Sequence, residues 1–332
     1  MRIAFSEDGR DFQRRGWHEL VEADPAGTFF HTPEYLKLYW EEFGEQPEHL
    51  LFAFAEEDDG SQIGACAFER IGGTLRFLGG TEITDYMGPV GIPDRQDAIA
   101  KELWAGLLAR DDWTEADLWG LPADGPWLGL LQEAAASQGL STELADDHDG
   151  VAPFLLLPST WDAYLESLPS KLRHEIRRKA KKLEAEAGPY RIHRATRETL
   201  DQLLDRFVEL HRMSEGPKGV FMVPGMEIFF RRLGEAFCAS GVFRMTFIEV
   251  GGVLAAGTIG FSFDGTYSLY NSAFDRDWQR LGPGMVLVAE DIRMAIDEGC
   301  VAFDMLKGDY PYKYRFGAQA RAVKRLIVRR PN

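Results

Sequence analysis

Gln279-Arg280-Leu281-Gly282-Pro283-Gly284 lies between two stretches of different periodicity. Before it, Phe243–Val250, Val253–Phe263 and Thr266–Phe274 are rich in β-branched and aromatic residues. They are joined by Gly251-Gly252 and Asp264-Gly265, both good hairpin turns. After it, Met285–Glu298 carries apolar residues at helical spacing and stops at Gly299. A three-stranded antiparallel meander therefore runs through a glycine-rich loop into a helix. A strand at Ala302–Leu306 and a last one at Lys324–Arg329 follow. This order predicts an α/β chain built on a mixed sheet.

The loop itself suits an anion. The first turn of a helix offers unpaired N–H groups and the positive end of a dipole. Glycines let a phosphate approach without a Cβ in the way. The N–H groups of Leu281, Gly282, Gly284 and Met285 are the candidates. Gln279 begins the loop, and Arg280 would add charge. Pro283 has no N–H and fixes the turn. An ordinary Gly-Pro-Gly turn is the alternative.

Working outward, residues 170–187 form a basic helix closed by Gly188-Pro189, with seven Lys and Arg between Lys171 and Lys182. That helix fits phosphate or RNA contact, or simply a solvated face. Thr196–Met213 and Met226–Ser240 are amphipathic helices, and Ser159 or Thr160 caps another. The first half repeats a shorter version of this plan. Thr32 and Pro33 open a helix to Phe43. Strands follow at Leu50–Ala55, Ile63–Arg70, Thr74–Leu78 and Ala116–Trp119, with helices at Asp97–Arg110 and Trp127–Gln138. Residues 140–153 are polar and pass through Asp149-Gly150. The boundary between domains 1–150 and 151–332 is placed there.

Charge follows that boundary. Up to residue 150 there are 10 Lys and Arg against 31 Asp and Glu, a net −21. From residue 151 there are 27 against 22, a net +5. The acidic half argues against duplex DNA as a partner. No run of about 18 apolar residues is present, so no membrane span is expected. The acidic start lacks a signal-peptide layout, which reads as cytoplasmic. Cys66, Cys238 and Cys300 are isolated among apolar neighbours, and the seven histidines are scattered; no metal site is expected.

The loop matches the Q/R-x-x-G-x-G/A motif of GNAT acyltransferases. Ser170 to Lys179, Phe274 to Gly284 and Phe303 to Gly317 resemble the CelD-like or BioF2-like acyltransferases, which are related to the FemABX peptidyltransferases. Thr84-Asp85-Tyr86-Met87-Gly88-Pro89-Val90 resembles that family's D-Y-x-G-P segment. The resemblance spans nearly the whole chain. It implies two tandem GNAT-like domains, with the second carrying the site and the first closing over it. It also implies acetyl-CoA or another acyl-CoA as cosubstrate, its pyrophosphate held by the loop. The acceptor would be an amino group of a small molecule, an amino sugar or a cell-envelope saccharide precursor. FemABX proteins that use aminoacyl-tRNA often carry a long coiled-coil insertion. None is evident here, which favours acyl-CoA over tRNA. A non-catalytic binding module is the third possibility.

Acyl transfer needs an oxyanion stabiliser, a base and a proton donor for the leaving thiolate. In this family type a main-chain N–H on the Thr266–Phe274 strand stabilises the oxyanion. Asp309 or Lys313 would orient or deprotonate the acceptor, and the resemblance ties Lys313 to the reaction centre. Tyr310 and Tyr312 are phenols suited to protonate a thiolate. By resemblance Asp85 and Tyr86 bind the acceptor. His211 ends a helix beside Ser214-Glu215-Gly216-Pro217-Lys218-Gly219, a segment with the composition of a mobile lid.

Overall fold

The computed structural model describes residues 1–214 and 217–331. The chain folds as two units. One comprises Met1–Ala152 together with the segment from Arg321 onward; the other is Pro153–Ala320. Glu215 and Gly216, central to the expected lid, lie outside the described residues.

The first unit contains, in chain order, β1 (Arg2–Ser6), α1 (Trp17–Ala23), α2 (Pro33–Phe43), β2 (Leu50–Glu56), β3 (Gln62–Ile71), β4 (Thr74–Phe77), β5 (Val90–Gly91), α3 (Gln96–Leu108), β6 (Glu115–Pro122), α4 (Pro126–Ser137) and β7 (Ser141–Leu156). The Thr32 hydroxyl caps α2 by accepting the Tyr35 N–H at 3.4 Å. Trp104, Trp113, Trp127, Leu103, Leu107 and Leu131 form the centre of an apolar core against the strands. Trp104 and Trp113 each donate their indole N–H to a backbone carbonyl, so neither buries an unpaired donor.

The second unit contains α5 (Trp161–Ser167), α6 (Ser170–Ala187), β8 (Tyr190–Arg194), α7 (Leu200–Arg212), α8 (Pro217–Phe221), α9 (Pro224–Phe237), β9 (Phe243–Val250), β10 (Val253–Phe263), β11 (Thr266–Phe274), α10 (Pro283–Asp297) and β12 (Ala302–Asp304). The meander β9-β10-β11 is antiparallel, whereas β11 and β12 run parallel. The residues of β7 from 154 onward pair with β12.

Two expectations about the boundary differ from the structure. The polar stretch 140–153, where the boundary is expected, is most of a strand, β7. The last strand, β13 (Gln319–Arg329), does not close the second unit, because it lies between β6 and β7 in the first. Apolar burial and charge both hold it there: Leu326 and Val328 are fully buried in the core of the first unit. Arg325 donates to both carboxylate oxygens of the buried Asp117 of β6, and Arg329 donates to Glu115 of β6 and Glu143 of β7 at 2.7 and 2.9 Å. Lys324 meets Asp146 of β7 at 2.6 Å. An acidic strand on either side takes a basic strand between them. The segment from Arg321 carries five basic and no acidic residues, so the first unit holds −16 and the second is neutral. Net charge of the second unit thus gives no reason for an anionic ligand; only local geometry does.

α10 lies on β9, β10 and β11. At its centre Asp291 is buried beneath two facing threonines. The Asp291 carboxylate oxygens are 2.6 Å from the Thr246 hydroxyl and 2.8 Å from that of Thr258, and the two hydroxyls are 2.6 Å apart. Three contacts need three protons. The hydroxyls supply two, so the third belongs to the carboxyl. Burial pushes the Asp291 acid up to about 7, in the same direction.

Candidate functional site in the second unit

The loop ahead of α10 is built from its two ends. Asp275, held by Arg206 of α7 at 3.0 Å, accepts the Asp277 N–H and starts a single tight turn. At the other end Leu281, 7% exposed, plugs into a cluster with Leu183 of α6, Ile248, Val250, Val286 and Leu287. Gly282 follows with φ +66°, the left-handed region that only glycine enters without strain, and α10 begins at Pro283.

The structure narrows the set of open N–H groups. Leu281 and Gly282 donate back to Trp278 at 2.9 and 3.2 Å, and Met285 donates to Gly282 at 3.1 Å. Among the described residues the Gly284 N–H has no such partner. A Cβ added at Gly284 would meet only Phe274, at ordinary van der Waals distance. Gln279 and Arg280 are exposed, and Arg280 pairs with Glu186 of α6 at 2.5 Å.

The basic helix supplies what the sequence reading left open. α6 buries only Ile176 and Leu183. Its seating on Leu281 brings Lys182 within 3.3 Å of the Arg280 carbonyl. It also brings the Lys179 ammonium to 3.1 Å from where a Gly282 Cβ would be. Among the described residues Lys179 forms no hydrogen bond or ion pair. An unpaired ammonium therefore stands at the positive end of a 15-residue helix, over a loop with an open N–H. The signal in the sequence was the lysine spacing, four residues before the buried Leu183, which puts Lys179 on the packed face.

Beside this loop the sheet splits. β11 and β12 pair in parallel only through Thr266–Ala302, Tyr267–Phe303 and Ser268–Asp304. β11 then continues to Phe274 alone on that side, while the chain after Asp304 turns away through Leu306 at φ +56°. The Asp304 carboxylate accepts the Leu306 N–H at 2.7 Å. The ammonium of Lys313, 3% exposed, donates to the Leu306 and Lys307 carbonyls at 2.8 Å each. Lys313 thus holds the turn that opens the split. Beyond the split the half-buried Tyr312 is hydrogen-bonded to Ser272 of β11, and burial pushes its phenol up to about 12. On the other edge of β11 the register with β10 shifts between Ile259 and Gly260, leaving Tyr270 unopposed.

The remaining predicted residues are dispersed. Asp309 is exposed and accepts the Tyr314 hydroxyl at 2.5 Å, while Tyr310 is 53% exposed. His211 is fully buried on α7 between the rings of Phe207 and Phe221. In the first unit Asp85 is half-buried. Tyr86 is buried, its hydroxyl 3.5 Å from Arg321. Among the described residues no group of His, Cys, Asp and Glu could hold a metal ion, and no helix is long and apolar enough to cross a membrane. Cys66 and Cys300 are buried, and Cys238 is half-buried.

Comparison with known proteins bears on the fold and on the domain family. Residues 170–314 match the acetyltransferase (GNAT) domain family. No curated protein matches the sequence significantly. Among solved structures, FemX superposes with a TM-score of 0.69 at 10% identity, over 98% of this chain and 97% of its own. L-PGS from Bacillus licheniformis gives 0.55 at 15% identity, over 94% and 93%. A tandem GNAT protein from the clavulanic acid biosynthesis pathway gives 0.50 at 13% identity, over 100% of both chains. At such identities these likenesses show the fold. Residues 170–314 thus match the GNAT acetyltransferase domain family, within an α/β chain whose fold is like that of solved tandem GNAT-like proteins.

Proposed function

We propose that the chain is an N-acyltransferase that moves an acyl group from acyl-CoA to an amino group, with the donor held by the second unit. The observation that carries this reading is the start of α10. There the unpaired Lys179 ammonium and the open Gly284 N–H flank a left-handed glycine, next to a strand that runs on without its parallel neighbour. These features fit a pyrophosphate: fixed donors, positive charge and no side chain in the way. Arg280 and Lys182 would add charge at the rim, and Gln279 and Met285 would border the site.

In this reading the backbone of β11 beyond Ser268 presents N–H groups toward the acyl carbonyl. Tyr312, kept neutral by burial, donates a proton to the departing sulfur. Lys313 is a positioning residue; it fixes the turn that aims Tyr312. Asp309 is the acceptor-side carboxylate of this proposal in the second unit. The sequence resemblance to CelD-like acyltransferases supports a small molecule, an amino sugar or an envelope precursor as acceptor in this reading. The α6 basic face offers a second reading, in which aminoacyl-tRNA is the donor.

The test is thermal denaturation with acetyl-CoA, longer acyl-CoAs and CoA, on the native chain and on Gly284→Glu. Gly284 has helical geometry and room, so the variant keeps its fold while placing a carboxylate at the phosphate position. A ligand at a hundred times its Kd raises stability by about 2.7 kcal/mol. A stabilisation that Gly284→Glu abolishes supports acyl-CoA. No response to any CoA species overturns it, and charged tRNA is then the donor to assay.

A further inference from the structure

The first unit contains a cleft of about 270 Å³ that none of the residues discussed so far explains. Its walls are the rings of Tyr39 and Phe43 from α2, Phe77 from β4 and Trp119 from β6. Glu69 and Arg76 come from facing positions on β3 and β4, and Glu45 stands at the rim. The volume holds on the order of nine waters, which suits a ligand smaller than a drug.

Several of the charged groups facing this space lack a hydrogen-bond or ion-pair partner among the described residues. Glu69 is half-buried yet forms no hydrogen bond or ion pair among the described residues; the same is true of Glu45 and Arg76. Glu69 feels the positive charges of His49 and Arg76 but is bound by neither, and a carboxylate withdrawn from water calls for hydrogen-bond donors. Tyr39 is 6% exposed, and its hydroxyl too forms no hydrogen bond among the described residues. That hydroxyl lies 2.6 Å from where Gly80 would carry a Cβ, so only a glycine leaves it room. Tyr39 and Glu69 line the same cleft, and burial, with the charge of Glu69, pushes the Tyr39 phenol up. Burial also raises the Glu69 acid. A buried phenol and an unpaired carboxylate thus converge inside an aromatic box.

Aromatic faces beside a carboxylate recognise an ammonium group. The ring quadrupoles attract the cation and the carboxylate accepts its protons. Two carboxylates against one guanidinium leave the cleft net negative, and Arg76 is placed to meet an anionic substituent. We propose that this cleft binds a small primary ammonium compound of amino-acid size, with its ammonium on Glu69 and Tyr39 and its carbon chain against Trp119 and Phe43. The proposal does not depend on the acyltransferase reading, because binding is measured without any donor.

The experiment is calorimetric titration of the full chain with L-lysine, ethanolamine, n-butylamine and D-glucosamine. N-acetyl-D-glucosamine and n-butanol serve as neutral counterparts. The expected result is saturable binding of at least one amine below about 10 mM, with its neutral counterpart weaker by about tenfold or more. Glu69→Gln should weaken that amine by about tenfold at an unchanged melting temperature. Glu45→Gln, a change at an exposed position, should weaken it less. The proposal is overturned if no amine in the panel binds, or if amines and neutral counterparts bind alike. It is equally overturned if Glu69→Gln and Trp119→Phe both leave binding unchanged.

Discussion

The ammonium of Lys179 stands 3.1 Å from the point where a Cβ on Gly282 would be. One residue belongs to α6 and the other begins α10, and the contact follows from Leu183 and Leu281 packing in one cluster. The pair gives the loop a positive charge fixed in place rather than one on a mobile side chain. Lys179→Glu should therefore abolish stabilisation by acetyl-CoA. Lys179→Met should weaken its affinity by roughly tenfold and leave the unliganded melting temperature unchanged. A titration in which Lys179→Glu binds acetyl-CoA as well as the native chain does would remove this lysine from the donor site.

The two glycines of the loop should behave differently. Gly282→Ala forces a side chain into left-handed backbone against Lys179, and should cost about 1–2 kcal/mol. Gly284→Ala has space and helical geometry, so its stability should be unchanged or raised by up to about 1 kcal/mol. Chemical denaturation of both variants separates them. Equal losses would mean that φ at Gly282 is not what requires the glycine.

Tyr312 and Lys313 are neighbours with opposite expected phenotypes. Tyr312→Phe removes a half-buried hydroxyl bound to Ser272, and should lower turnover by roughly a hundredfold with little change in donor affinity. Lys313→Met leaves two carbonyls without their donor and should destabilise the fold by about 2–3 kcal/mol. Steady-state kinetics beside melting curves distinguishes the two. A Lys313→Met protein that melts normally but is inactive would return the lysine to the reaction itself.

The Asp291 ring makes stability depend on pH in a definite direction. Its acid is raised from 3.8 to about 7, so the folded state favours the proton. The contribution is fully present below about pH 4, and is lost as pH rises through about 7 at roughly 1 kcal/mol per pH unit. The charged neighbours are Arg194, which favours ionisation, and Glu290, which opposes it; burial outweighs both. Asp291→Asn keeps a donor and an acceptor between Thr246 and Thr258 without a titrating proton. Melting temperatures from pH 5 to 8 should fall less steeply in that variant than in the native chain. Parallel curves would show that Asp291 is ionised throughout.

The meander and α10 were legible because three hairpin-linked strands and one capped helix are local patterns. Their bounds in the structure agree with the sequence reading to within two residues. The basic helix at 170–187 was legible for the same reason. What was not legible depended on distant partners. Residues 140–153 look like a boundary because their acidic side chains find their counter-charges on β13, more than 170 residues away. β1 and β8 are short strands at the edges of the pairing order, with little periodicity to detect. At the site, the loop glycines announced themselves, whereas Lys179 was one of seven similar charges until packing singled it out. Lys313 looked like a catalytic base because sequence shows its charge and not its burial.

The placement of β13 sets an order on synthesis. The ribosome makes β6 and β7 first, and the strand that separates them, β13, follows only after the whole second unit. At about 5–20 residues per second, the intervening unit occupies the ribosome for roughly 10–30 s. Throughout that time both strands present unpaired edges and carboxylates with no arginines to answer them. Open edges of this kind invite pairing with other chains. The same acidic residues that await β13 repel one another and repel copies of themselves, so the nascent unit carries its own guard against aggregation until its last strand arrives.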